Sequence, residues 1–143
     1  MPRGGRVHNA GMVLLRLGTG VVFLWFGVTQ LRDPDFGAAY LPEFVYAIGE
    51  QLGIIDFDRL FTVIHGAVEV ALGSALIVGL FTRAAALLLA VQLAVIVVTL
   101  YTQGLPAIAI RDFGVMIATL VVAMNGPDRM SADGWGRGKS RGG

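Results

Sequence analysis

The sequence predicts an all-α membrane protein, a bundle of four transmembrane helices with a short amphipathic surface helix in the first outer loop. Three observations predict it. Of the 143 residues, 55% are hydrophobic and only 15% are charged, whereas a water-soluble domain carries about a quarter charged residues. The apolar residues gather into four runs, at 11–31, 60–80, 84–101 and 107–124, each long enough for one helical crossing at about 1.5 Å rise per residue. None of the runs alternates with the period of a strand. Lipid offers the backbone no hydrogen-bond partner, so each run must satisfy itself as a helix.

The first run follows Arg3 and Arg6 and could be mistaken for a secretory signal. It is longer than a signal's apolar region, and it ends in Gln30-Leu31-Arg32-Asp33-Pro34 without a small-x-small cleavage pattern. An uncleaved first helix is expected. The loop after it holds Leu41, Phe44, Val45, Ile48 and Leu52 at helical spacing behind Pro42, which predicts a short helix lying on the membrane surface or capping the bundle. Phe81-Thr82-Arg83 makes a tight turn between the second and third spans, and Gly104-Leu105-Pro106 stops the third. Asn125-Gly126-Pro127 stops the fourth by Gly-then-Pro chemistry. One domain over residues 1–131 is expected, with 132–143, rich in Gly and charge, as a flexible cytoplasmic tail.

Basic residues orient the chain. Arg3, Arg6, Arg16, Arg83, Arg129, Arg137, Lys139 and Arg141 fall on one side and Arg32, Arg59 and Arg111 on the other, 8 against 3. Both termini are therefore expected in the cytoplasm and the acidic first loop outside, in a multi-pass protein of the cell membrane. Arg16 is expected to snorkel to the inner headgroups. The formal net charge of +1 gives no field for nucleic acid. The absence of cysteine removes disulfides, thiolate metal sites and iron–sulfur ligation. His8 and His65 lie on opposite sides, which excludes a bis-histidine haem within the bundle.

Polar groups inside the spans carry the functional signal, since a charge at a helix centre costs roughly 2.5–3.5 kcal/mol even on a lenient scale. His65 and Glu69 stand four apart on one face of the second helix, Gln92 lies mid-way along the third, and Arg111-Asp112 open the fourth. Counting from the outer ends puts His65 about 7 Å deep, Glu69 and Gln92 about 14–17 Å and Arg111 about 6 Å. An outward-opening polar pocket of Trp25, His65, Glu69, Gln92, Arg111 and Asp112 is expected. Each member has a plainer role. Glu69 can simply bond Gln92 as interhelical glue, His65 can be a packed imidazole, and Trp25 can be an interface anchor. No metal site is expected, because His65, Glu69 and Asp112 fall short of a usual ligand set. Gly66, Ala67, Ala71, Gly73 and Ser74 form a small-residue face suited to close helix packing.

Arg16-Leu17-Gly18 followed by Val22-Phe23-Leu24-Trp25-Phe26-Gly27 resembles the first helix of DoxX family membrane proteins. So do His65-Gly66-Ala67-Val68-Glu69, Leu76-Ile77-Val78-Gly79-Leu80-Phe81-Thr82-Arg83-Ala84-Ala85, and the Gly-Pro-x-Arg-x-Ser pattern of residues 126–131. The longer acidic first loop and Arg111-Asp112 depart from many members. The resemblance, which is DoxD-like, implies a quinone-linked membrane subunit of the kind used in thiosulfate oxidation, or a membrane partner of soluble redox enzymes. Under it, Glu69 and His65 would relay protons, while Trp25, Gln92, Arg111 and Asp112 would bind quinone or another lipid-like molecule. No intrinsic cofactor is expected, and any oxidoreductase activity would need a redox protein partner or a diffusible donor. The alternative is a non-catalytic scaffold or lipid-binding protein that anchors a partner. Homo-oligomers are compatible with either.

Overall fold

The computed structural model describes residues 3–134. Six helices follow in order, α1 Arg3–Arg32, α2 Pro34–Ala38, α3 Glu43–Leu52, α4 Phe57–Val78, α5 Thr82–Thr102 and α6 Pro106–Asn125. No strand occurs among the described residues. Four of the helices, α1, α4, α5 and α6, are long and apolar enough to cross a membrane. The four-helix membrane bundle expected from the sequence is therefore the fold. Of the pairs, α1 packs most extensively on α4 and α5 on α6, and thinner α1–α6 and α4–α5 contacts join them.

Glycine sets the α1–α4 approach. A Cβ on Gly27 would fall 2.7 Å from the Gly66 carbonyl oxygen, and one on Gly66 would fall 2.9 Å from the Gly27 carbonyl oxygen. Gly20 and Gly73 mate in the same way, at 3.1 and 3.0 Å from each other's oxygens. Each helix thus offers two glycines seven residues apart, paired in antiparallel register. In lipid no hydrophobic force separates helix faces from solvent, so such backbone contact carries the association. The apolar core is correspondingly small: Phe23, Leu76, Ala85, Ala86, Leu89, Leu93 and Val122. Leu14, Val21, Leu87, Leu88 and Val98 are exposed and form part of the lipid-facing surface. Gly66 and Gly73 of the predicted small-residue face are buried at this contact, but Ala67 and Ala71 lie outside it.

The end that carries the termini is tied more firmly than the sequence suggested. Arg16 does not snorkel. Its side chain is 3% exposed and pairs with Asp128, itself 5% exposed, at 2.7 Å. It also donates to the carbonyls of Leu76, which the Gly79 amide shares, and Ile77, at the end of α4. Beyond α6 the chain folds back under the α4–α5 turn. The tail expected to be loose is packed as far as Gly134: Ser131 is fully buried, and Asp133 accepts from the Phe81 and Thr82 amides at 3.0 and 2.8 Å. Those bonds cap α5 and hold Phe81 at φ 48, a left-handed value that a non-glycine residue adopts at a cost. Residues 135–143 of the predicted tail lie outside the described residues.

At the opposite end the first loop makes two helices rather than one. The predicted surface helix is α3, with Leu41, Val45 and Gly49 buried and Phe44, Ile48 and Leu52 exposed. Pro42 precedes it as the N-cap instead of opening it. The additional α2 spans only five residues, too few to show a period. Ala38, Leu41 and Val45 pack on Phe57 and Phe61 of α4. Tyr46 donates to the Ala38 carbonyl at 2.6 Å, and Gln103, the C-cap of α5, donates to the Leu41 carbonyl at 3.2 Å. Burial, and then the charge of Asp58, raise the Tyr46 pKa and keep it a donor.

Candidate functional site

A chain of four polar side chains crosses the interior between α1, α4 and α5. Glu69, only 3% exposed, sits at its centre. Its Oε2 accepts from Gln30 Nε2 at 2.7 Å and its Oε1 from Gln92 Nε2 at 2.7 Å. The Gln30 oxygen in turn lies 2.8 Å from His65 Nδ1, and the His65 ring stacks on Phe61. Helix geometry explains the meeting. The Gly27–Gly66 contact draws the two backbones together, so Gln30, one turn beyond Gly27, lies against Gly66, with its Cβ 3.0 Å from where a Gly66 Cβ would be. From there its side chain reaches both His65 and Glu69, the residues flanking Gly66 on the same face of α4.

Glu69, Gln92 and His65 are thus brought into one network, but His65 and Glu69 do not touch directly. The Gln30 amide stands between them. Gln30 was not among the predicted pocket residues. Its depth places it, with Trp25, in the same outer half of the bundle as the pocket residues, near the end of the first apolar run. The signal that could have found it is its i, i+3 relation to Gly27, itself seven residues from Gly20.

The other predicted residues lie elsewhere. Trp25 is 72% exposed on the outer surface of α1 and faces away from the network. Arg111 pairs with its neighbour Asp112 at 2.7 Å and lies 5.9 Å over the Phe26 ring. It lines a shallow cavity of about 340 Å³ between α1 and α6, with Gly18, Val22 and Gly114. The pair is self-compensating and sits on a flank of the bundle.

The loop end of the network is also not an open mouth. A Cβ on Gly37 of α2 would fall 3.0 Å from Gln30 Cγ and closer still to Thr62, so α2 lies directly over the buried amide. The larger cavity, about 770 Å³, opens sideways between α3 and α5, lined by Val91, Ala94, Val95, Val98, Thr99 and the Pro42–Phe44 turn. Thr99 and Val95 share the face of α5 that carries Gln92 one and two turns deeper. Gln92 is only half-buried, whereas Gln30 and Glu69 are closed over. No cluster of three His, Asp or Glu side chains is placed to hold a metal ion among the described residues.

The DoxX family model matches residues 11–102, more than half of the chain. The chain belongs to the DoxX family. The match takes in α1 to α5 and with them all four members of the Gln30–His65–Glu69–Gln92 network; α6 and the Gly126–Ser131 pattern lie beyond it. No curated protein and no solved structure matches this DoxX chain.

Proposed function

We propose that this DoxX protein is the membrane subunit of a redox system and binds quinone or another lipid-like molecule beside Glu69, with electrons supplied by a protein partner or a diffusible donor. The observation that carries the reading is the Glu69 carboxyl, placed mid-span in α4 and held by amides from two other helices. A carboxyl is an expensive choice for glue inside a membrane, where an amide would bond as well. What it adds is a proton that can leave and return.

The ligand's polar end meets the network through its two half-buried members, Gln92 beside the α3–α5 cavity and His65 at the other end. Glu69 gives up or takes one proton as the ligand changes redox state. The two amides keep both carboxyl oxygens supplied with donors while the charge is present, which spares it reorganisation. Membership of a family resembling quinone-linked subunits supports the same direction, by analogy of fold and sequence.

The second reading is a non-catalytic scaffold or lipid-binding protein. It is favoured by one observation: every fully buried side-chain nitrogen and oxygen among the described residues has a partner. Mass spectrometry of lipids and proteins retained after mild detergent extraction separates the two. Stoichiometric quinone, released in Glu69→Leu, supports the redox reading. A stable protein partner with no quinone overturns it in favour of the scaffold.

A further inference from the structure

We infer that Gln30 is a positioning residue that fixes His65 as the Nδ1–H tautomer, so that His65 Nε2 presents a bare acceptor to a ligand bearing a hydroxyl. The inference rests on the redox reading above and names the form of ligand the site selects.

The hydrogen-bond directions carry it. While Glu69 is ionised both its oxygens accept, and the Gln30 amide then turns its NH2 toward Oε2, 2.7 Å away. That rotation leaves the Gln30 oxygen facing His65 Nδ1 at 2.8 Å. An amide oxygen has no hydrogen to give, so the proton of this bond belongs to Nδ1. A neutral imidazole carries one N–H only, and Nε2 is therefore a lone-pair nitrogen. The carboxylate thus dictates the tautomer of a ring it does not touch, as a carboxylate or carbonyl behind a histidine does in other sites.

The exposure of the ring completes the argument. No described group bonds Nε2, and no fully buried side-chain nitrogen among the described residues lacks a partner. Nε2 is consequently not fully buried, while Nδ1 is committed within the bundle. Phe61 holds the ring by stacking, with centroids 6.2 Å apart and planes 23° from parallel. An oriented lone pair accepts a hydrogen bond from an O–H and is repelled by a carbonyl oxygen. The reduced, hydroxyl-bearing form of a quinone-type head is therefore preferred over the oxidised form. When the hydroxyl proton passes to Nε2, the imidazolium keeps its Nδ1–H bond to Gln30.

The test uses the full chain in detergent with ring nitrogens labelled in histidine, and a His8→Asn background that leaves one imidazole. Nitrogen NMR separates protonated from bare ring nitrogens. The expected result is a dominant Nδ1–H, Nε2-bare ring in the otherwise unaltered chain, shifting toward Nε2–H in Gln30→Leu. Glu69→Gln keeps the Nδ1–H form, because its amide oxygen still accepts from Gln30. A dominant Nε2–H ring before substitution, or a Nδ1–H ring unchanged in Gln30→Leu, overturns the inference. For the ligand, a short-chain hydroquinone is expected to bind about tenfold more tightly than its quinone, the worth of one hydrogen bond to a strong acceptor. His65→Phe should remove that preference, and equal binding of the two forms before substitution overturns the selectivity. Failure of both probes to bind overturns the redox reading and the selectivity together, whereas the tautomer result decides the role of Gln30 independently of either.

Discussion

At the scale of single residues, the buried polar groups divide into those the sequence makes visible and those it hides. Glu69 was visible because a carboxyl in an apolar run must be paired inward, and Gln92 followed from matching depth. Asp128, just past a helix, was hidden, and Gln30 was placed in the right half of the bundle but left out of the pocket. Trp25 misled because α1 is apolar nearly all round, so no moment tells which face an aromatic takes. Glu69→Gln is expected to fold almost normally. The new amide oxygen accepts from Gln30, and Gln92, whose oxygen has no described partner, can turn over to accept the new NH2. The stability change should stay within about 1 kcal/mol, the usual worth of a polar contact between membrane helices. Under the proposed redox function, quinone-linked turnover should be lost, because an amide releases no proton. Turnover at the original rate in this variant ends the proton-exchange role. Arg16→Ala is the converse case. It leaves the buried Asp128 carboxylate without its counter-charge and the Ile77 carbonyl without its donor, a loss of about 3–5 kcal/mol. Thermal unfolding in detergent should show it as a large drop, with Arg16→Lys restoring only part because a point charge lacks the guanidinium fork.

At the scale of elements, the four spans and α3 were legible because length and the 3.6-residue period are direct physical requirements. Which helix packs on which was not. The deciding features are glycines spaced by seven on α1 and α4, and a glycine says nothing of its partner until the register is known. These glycines hold the site together as well as the fold. A side chain at Gly27 meets the α4 backbone, at the Gly66 carbonyl and the Val70 amide, and cannot be relieved by a rotamer change. Gly27→Val should therefore push α1 from α4, cost about 1–3 kcal/mol, and break the Gln30–Glu69 bond. Gly18 lies on the same helix with nothing within 4 Å of its Cβ position. Gly18→Ala should leave stability unchanged or raise it by up to about 1 kcal/mol through helix propensity. Parallel melting curves of the two variants check this, and no loss in Gly27→Val would show that the interface glycines are dispensable. The short α2 escaped notice for a related reason: its place over Gln30 depends on Gly37 and Thr62 meeting in space.

At the scale of the whole molecule, the fold places its chemistry asymmetrically. The network and its α2–α3 cover belong to the loop half, and the Arg16–Asp128 tie and the Asp133 cap belong to the half carrying the termini. Which half faces the cytoplasm is predicted from charge. Lys and Arg near the spans number 8 on the terminal side and 3 on the loop side, and this bias, more than net charge, sets orientation during insertion. The acidic residues of the loop contribute little to that bias, but they give the cover a surface that water wets readily. The prediction is that the loop, and with it the α3–α5 opening, faces outward. The chain has no cysteine, so single cysteines report without background. Ala38 lies in the loop but is buried and would react slowly from either side. Ile55, 88% exposed in the α3–α4 turn, is the better reporter. Ile55→Cys should react with a membrane-impermeant maleimide in intact cells, and Ser140→Cys only after permeabilisation. The reverse pattern would invert the bundle, place the α3–α5 opening in the inner leaflet, and put the side on which the proposed redox partner meets the network in the cytoplasm.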